Sequence, residues 1–176
     1  MSTAAGTLTW TPAAERSDLL AASVAAAIAG LPSARVAEID PELADTAAFC
    51  EAYGSPAEFS ANCVVVAGRR GGETKHAAVL VLASDRADIN GIVRRHLDAR
   101  KISFAPMDET VETTGMEYGG ITPIGLPADW PVLIDEAVVA AGEVVIGSGV
   151  RGSKLLVDAA ELAALPSAEV LALAQA

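Results

Sequence analysis

Leu20, Val24 and Ile28 recur at intervals of four residues, the spacing that lines up side chains on one face of a helix. Thr11 followed by Pro12 reads as an N-cap with proline in the first helical position. A helix is therefore expected to open there and to stop at "GLP", 30–32. "ARVAEI", 34–39, reads as a short strand, and "DTAAFCEAY", 45–53, as a helix ending at Gly54. Ser55, Pro56 and Glu58 have the form of a capping box. "CVVVAG" and "HAAVLVLA" are apolar runs joined by "RRGGETK". Residues 63–83 thus read as a β-hairpin with a glycine turn, and its near-continuous apolar strands call for cover on both faces.

The pattern then returns to helical spacing. Ile89, Ile92, Val93 and Leu97 mark a helix over 87–101, with Arg94, Arg95 and His96 on or near its outer side. "KISFAP" reads as a strand and "DETVETTG" as a short helix ending at Gly115. After a broken stretch, "PVLIDEAV" and "EVVIGS" read as strands, "KLLV" as a last short strand and "DAAELAALP" as a last helix, with the alanine-rich tail from Pro166 expected to fray. Hairpins are mixed with helices and no βαβ repeat is visible. The expected fold is mixed α/β, α+β-like in order, with a curled mixed central sheet flanked by helices. The 176 residues are expected to form a single domain.

Composition sharpens this picture. Hydrophobic residues make up 52% of the chain but aromatics only 4%, so Ala, Val, Leu and Ile must build the core. The longest helical apolar run, 21–31, is too short and alanine-rich to span a bilayer, and with no basic n-region followed by a leucine-rich stretch no signal peptide is expected. Cys50 and Cys63 have no metal-ligand spacing. A reduced, cytoplasmic setting is expected, with no membrane partner.

Charge adds a contrast. The net charge is −11, yet residues 69–101 hold eight Lys or Arg against four Asp or Glu, about +4. A local basic face on an acidic chain can meet a phosphate backbone, or can be an ordinary solvated surface.

Conventional catalytic groups are scarce. His76 sits at the mouth of a strand and His96 between surface arginines. There is no G-x-S-x-G elbow, no H-E-x-x-H and no P-loop, so no metal and no cofactor is expected. Two glycine-rich stretches remain, "GMEYGGITPIG" and "IGSGVRGSK". Glycine lets a backbone come close to a ligand, and free amides can hold an anion or an oxyanion. The alternative is two turns of a β-rich fold. Two such loops, each beside an apolar strand, suggest a shared pocket.

These motifs resemble the YbaK and prolyl-tRNA synthetase insertion-domain family of aminoacyl-tRNA deacylases, from about Ser55 to Leu165. "GMEYGGITPIG" is similar to the family's TGY-x-x-GG-x-x-P-x-G loop, with Gly119 to Pro123 as its G-x-x-x-P element. "IGSGVRGSKLLV" resembles its glycine loop with an R-G pair, here Arg151 and Gly152. The hairpin with Lys75 and His76, and "DINGIVRRHLDARKISFAP" after it, complete the ordered match. The resemblance implies a hydrolase that frees mischarged tRNA of its amino acid, acting in trans, with tRNA and an aminoacyl-tRNA synthetase as partners. It implies catalytic roles for Asn62, Gly119, Gly120 and Pro123, and substrate contacts from Thr122, Gly147, Ser148, Gly149 and Arg151. The implied mechanism is substrate-assisted, using a ribose hydroxyl or an ordered water. Charge alone nominates Arg94, Arg95, Arg100 and Lys101 for tRNA phosphates.

One position departs from the family. Many members carry a lysine at the start of the first hairpin strand, where this chain has Asn62. Asparagine keeps hydrogen bonding and loses the charge. Three readings follow: a deacylase in which Asn62 takes over positioning, a relative that binds tRNA ends, nucleotides or a synthetase without turnover, and a hydrolase of some other acyl ester.

Overall fold

The computed structural model describes residues 3–175. Thr11 and Pro12 do not start a helix. They form a short strand, β1 (Thr11–Pro12), because the chain here pairs edge-on with β2 (Arg35–Glu38), and Ala13 donates its amide to Ala34 O at 3.0 Å. Between them the expected long helix is broken into 3₁₀ turns around α1 (Ala22–Ala27). Leu20, Val24 and Ile28 are nevertheless all buried, so the apolar spacing marked the right face of an irregular segment.

α2 (Thr46–Tyr53) ends at Gly54, whose φ of +64° is the left-handed cap expected there. The capping box at 55–58 does not form. Ser55 Oγ instead donates to Ala4 O at 2.8 Å, and a 3₁₀ turn at Ala57–Phe59 follows without a side-chain cap.

The hairpin is formed by β3 (Ala61–Arg70) and β4 (Glu73–Leu82), with Asn62 opposite Val81 and Arg70 opposite Glu73. Gly71 and Gly72, at φ +57° and +83°, make its two-residue turn. The segment expected as one helix over 87–101 is a π turn at Ile89–Val93 running into a single turn, α3 (Arg94–His96). Asp88 accepts the Gly91 amide at 3.0 Å, and Val93 donates to the Asp88 carbonyl five residues back. That local capping winds the start too wide for an α-helix.

β5 (Lys101–Phe104) and α4 (Met107–Thr114) follow as expected. "PVLIDEAV" divides into β6 (Val132–Asp135) and α5 (Glu136–Ala141). The break falls at Asp135, whose carboxylate accepts the Ala137 amide as an N-cap. β7 (Glu143–Gly147), β8 (Ser153–Asp158) and α6 (Ala159–Ala163) come next. The tail is not frayed: β9 (Ala168–Leu171) pairs in parallel with β6. The same buried Asp135 accepts the amides of Leu173 and Ala174 at 2.8 and 3.2 Å.

The fold is mixed α/β, and its sheet is divided in two. One sheet runs β1-β2-β8-β7 and is antiparallel; the other runs β5-β3-β4-β6-β9 and is mixed. A parallel bridge from Ser60 to Val145 joins them at the start of β3. Val24, Leu80, Ile134, Val144 and Leu155 fill the main core, while Phe49 packs on Val145 and Leu156 under α2. No helix among the described residues is long and apolar enough to cross a membrane.

Candidate functional site

The Ser60 bridge is what creates a cleft. It pins the first residues of β3 beside β7, so the start of the hairpin, the N-terminus of α2 and the ends of β7 and β8 converge. The resulting cavity has a volume of about 280 Å³. Its polar groups come from Thr46, Asn62 and Lys154, with Asp45 at one side, and Phe49, Ile121 and Val145 supply apolar wall.

Asn62 is held rather than loose: Thr46, the first residue of α2, donates its hydroxyl to Asn62 Oδ1 at 2.5 Å. With the carbonyl oxygen so engaged, the amide NH₂ remains as a neutral donor. Neighbouring Cys63 keeps some exposed surface as a residue, but burial pushes its thiol up to about 12. It stays protonated at neutral pH and is no nucleophile.

The two glycine loops form the opposite wall, main chain against main chain. Gly149 donates to Gly120 O at 2.7 Å, and Glu117 donates to Gly149 O at 2.8 Å. A Cβ on Gly147 would lie 2.6 Å from the carbonyl oxygens of Gly120 and Ile121, and one on Gly120 would lie 2.7 Å from the Val150 nitrogen. Any side chain at either position would force the loops apart. Gly119, at φ +89°, lines the cleft, and its amide donates to no other group among the described residues.

Arg151 ties this wall across the cleft mouth. Its guanidinium donates to Tyr118 O at 3.3 Å and Pro41 O at 3.0 Å, and lies 3.7 Å from the Asp45 carboxylate. Its own amide donates to Glu117 at 2.8 Å.

Of the residues nominated from sequence, Asn62, Gly119 and Gly147 line the cleft. Gly120 stands directly behind it in the loop contact. Ser148 is fully buried, exchanging hydrogen bonds with Val150 and Ser153. Gly149 presses on α1, 2.4 Å from Ala21 Cβ if it carried a Cβ of its own. Thr122 and Pro123 are buried beneath the loop. Arg94, Arg95, Arg100 and Lys101 lie elsewhere. Lys101 pairs with Arg69 at the far end of β3, roughly 23 Å from Asn62 at the usual strand rise. His76 stacks on Trp130 with ring centres 5.1 Å apart, and His96 meets Glu169 at 3.1 Å; neither lines the cleft.

Sequence reasoning missed Lys154. Opposite Gly147 in the β7–β8 pairing, it is 7% exposed. Its Nζ donates to Ala44 O at 2.8 Å and sits 5.5 Å above the Phe49 ring. Burial lowers its pKa to about 8, against the opposing pull of Asp45 and Cys50, with Arg151 adding to the depression. A lysine opening the apolar run "KLLV" was the only available signal.

Beside the cleft runs an apolar groove of about 380 Å³ that shares Cys63, Val64, Tyr118 and Ile121 with it. Phe104, Met107 and Tyr118 stand out along it, each more than half exposed.

A two-sheet α/β architecture with a cleft walled by glycine backbone defines a recognisable class. The model of the aminoacyl-tRNA editing domain matches residues 40–165, and the chain belongs to that family. It is 44% identical over 73 residues to proline--tRNA ligase of Lactobacillus gasseri and 42% to that of Lactobacillus johnsonii. Each match covers 40% of this chain and 13% of the ligase. A solved structure of a candidate trans-editing enzyme for prolyl tRNA synthetase superposes with a TM-score of 0.76 at 25% identity, covering 89% of this chain and 97% of that one. The hypothetical protein APE2540 shares the fold, with a TM-score of 0.71 at 20% identity over 81% of this chain and 91% of its own.

Proposed function

We propose that the protein is a trans-acting aminoacyl-tRNA deacylase, hydrolysing the ester of mischarged tRNA, with mischarged prolyl tRNA as the first substrate to try. The observation that carries this reading is the cleft itself: backbone and amide donors face an apolar wall, and its one thiol is held protonated. The resemblance to a candidate trans-editing enzyme supports action in trans.

In this reading a water oxygen bonds to the ester carbonyl carbon and the carbonyl becomes an oxyanion. Collapse breaks the bond to the ribose oxygen, which leaves with a proton. The adjacent ribose hydroxyl or a second water relays that proton, since the cleft offers no imidazole. The Gly119 amide and the Asn62 NH₂ are donors for the carbonyl oxygen, preorganised by the loop contact and by Thr46. Gly120 and Pro123 shape that loop, while Thr122, Ser148, Gly149 and Arg151 hold the pocket in form. Arg94, Arg95, Arg100 and Lys101 would meet phosphates of the acceptor stem along β3.

The test is a deacylation panel of alanyl-, seryl-, cysteinyl- and threonyl-tRNA and mischarged prolyl tRNA. The expected result is turnover of at least one species, reduced about 100-fold in Asn62→Ala and abolished in Gly120→Val. Turnover of none overturns the reading.

Asn62 itself favours a second reading, because it leaves the hairpin start without the family's charge. In that case the protein binds tRNA ends or a synthetase without turnover, and Asn62→Lys would create deacylation where the native chain has none.

A further inference from the structure

We propose that Lys154 also grips the acyl carbonyl oxygen in this cleft, adding a positive charge to the neutral donors of Gly119 and Asn62. The inference rests on the deacylase reading for its chemistry and on the structure for its geometry. Lys154 is the one cationic side chain lining the cavity among the described residues. It reaches there from inside the antiparallel sheet, where its neighbours Leu155 and Leu156 are fully buried.

Its surroundings leave work for it. An ammonium has three donors. One goes to Ala44 O, and no other hydrogen bond from Nζ is made among the described residues. The Phe49 ring backs the ammonium on one side, and the two remaining donors are left for a ligand in the cavity that Lys154 lines. A buried cation without a paired carboxylate is costly for a merely structural role. The nearest acid, Asp45, is already engaged by Arg151 at 3.7 Å.

The position also fits the chemistry. Lys154 is the strand partner of Gly147, which abuts the Gly120 and Ile121 carbonyls. The Lys154 backbone is therefore level with the glycine wall, while its ammonium, held at Ala44 O just before α2, lines the cavity together with Thr46 and Asn62. As water attacks, negative charge grows on the carbonyl oxygen. A desolvated ammonium stabilises that charge more strongly than it does the neutral ester, and this difference accelerates the reaction. No proton transfer from Lys154 is needed: it donates hydrogen bonds and keeps its protons. The groups facing it are Asp45, which precedes α2, Cys50 from α2 and Arg151 from the β7–β8 loop. With the pKa near 8, the charged form prevails at pH 7 and is lost above pH 8.

Two measurements on the full chain test this. The first is single-turnover deacylation of the species turned over by the native protein, across pH 6 to 10. Lys154→Met is expected to lose about 100-fold in rate, and Lys154→Arg to regain part of it. The native rate, divided by that of spontaneous ester hydrolysis, should fall as pH rises through about 8, and this fall should vanish in Lys154→Met. Uncharged tRNA should bind the variants and the native chain alike. A Lys154→Met rate and pH profile equal to the native ones overturn the proposal.

The second is calorimetric binding of 3′-aminoacylamino-adenosines carrying alanine, serine, cysteine or threonine, whose amide link resists hydrolysis. Weaker binding by Lys154→Met, with no native turnover of any charged tRNA, would sink the deacylase reading and keep Lys154 as the carbonyl's partner. Equal binding by both proteins together with equal turnover, or no binding by a native chain that turns nothing over, removes Lys154 from that role. Equal binding with a slowed Lys154→Met keeps it as a contact made to the oxyanion.

Discussion

At Gly120 and Gly147 the demand for glycine comes from neighbouring backbone rather than from a ligand. Carbonyl and amide atoms within 2.6–2.8 Å of a hypothetical Cβ leave no room for any other residue. Lys154 presents the opposite case, a charged side chain accommodated at a cost. Its native pKa near 8 lies below the ordinary lysine value of 10.5. Below pH 8 both folded and unfolded chains carry the proton, and the burial penalty is felt in full. Between pH 8 and 10.5 only the unfolded chain holds the proton, so stability contributed at this site rises with pH. Urea unfolding of the native protein and of Lys154→Met should show the gap moving in the native protein's favour by about 2 kcal/mol from pH 7 to pH 10. A constant gap would mean that the ammonium is hydrated.

At the scale of elements, β9 and the residues after it carry more than their composition suggests. Leu173 is fully buried against Val79, Val93 and Leu133, and its amide is held by Asp135. Leu173→Ala should cost about 2–5 kcal/mol in chemical unfolding; a loss under 0.5 kcal/mol would fit a tail that frays in solution. This strand is illegible in the sequence because its partner β6 lies far back in the chain and parallel pairing leaves no local turn signal. The hairpin is legible for the converse reason: its strands are adjacent and Gly71-Gly72 announces the turn. The capping box at Ser55 misleads because a tertiary acceptor, Ala4 O, takes the hydroxyl. The site divides in the same way. Its glycine loops are conspicuous as a motif, whereas Lys154 is hidden, since a lysine at a strand's start ordinarily reaches water.

At the scale of the molecule, charge is arranged along the long axis of the hairpin. Asn62 and the cleft occupy one end of β3, and Arg69, Arg70, Arg100 and Lys101 gather near the other. On a chain of net charge −11 such a cluster can orient an incoming polyanion by one end. Binding of uncharged tRNA should weaken steeply with added salt. Arg100→Glu with Lys101→Glu should lower the magnitude of the log–log salt slope by about 2 while leaving deacylation of an aminoacyl-CCA trinucleotide, which lacks the acceptor-stem phosphates, unchanged. An unaltered slope would assign these cations to the solvated surface.

The interlocked glycine loops have one more consequence. A wall made of main chain offers every ligand the same amide and carbonyl groups, and single substitutions at Gly120 or Gly147 threaten the whole cleft. On the deacylase reading, selection for a new amino acid would therefore have to act on the facing side, through Thr46, Asn62, Cys63 and Lys154. One half of the cavity is inherited intact and the other is free to diverge, so related proteins with different substrates should differ at those positions while keeping the glycines.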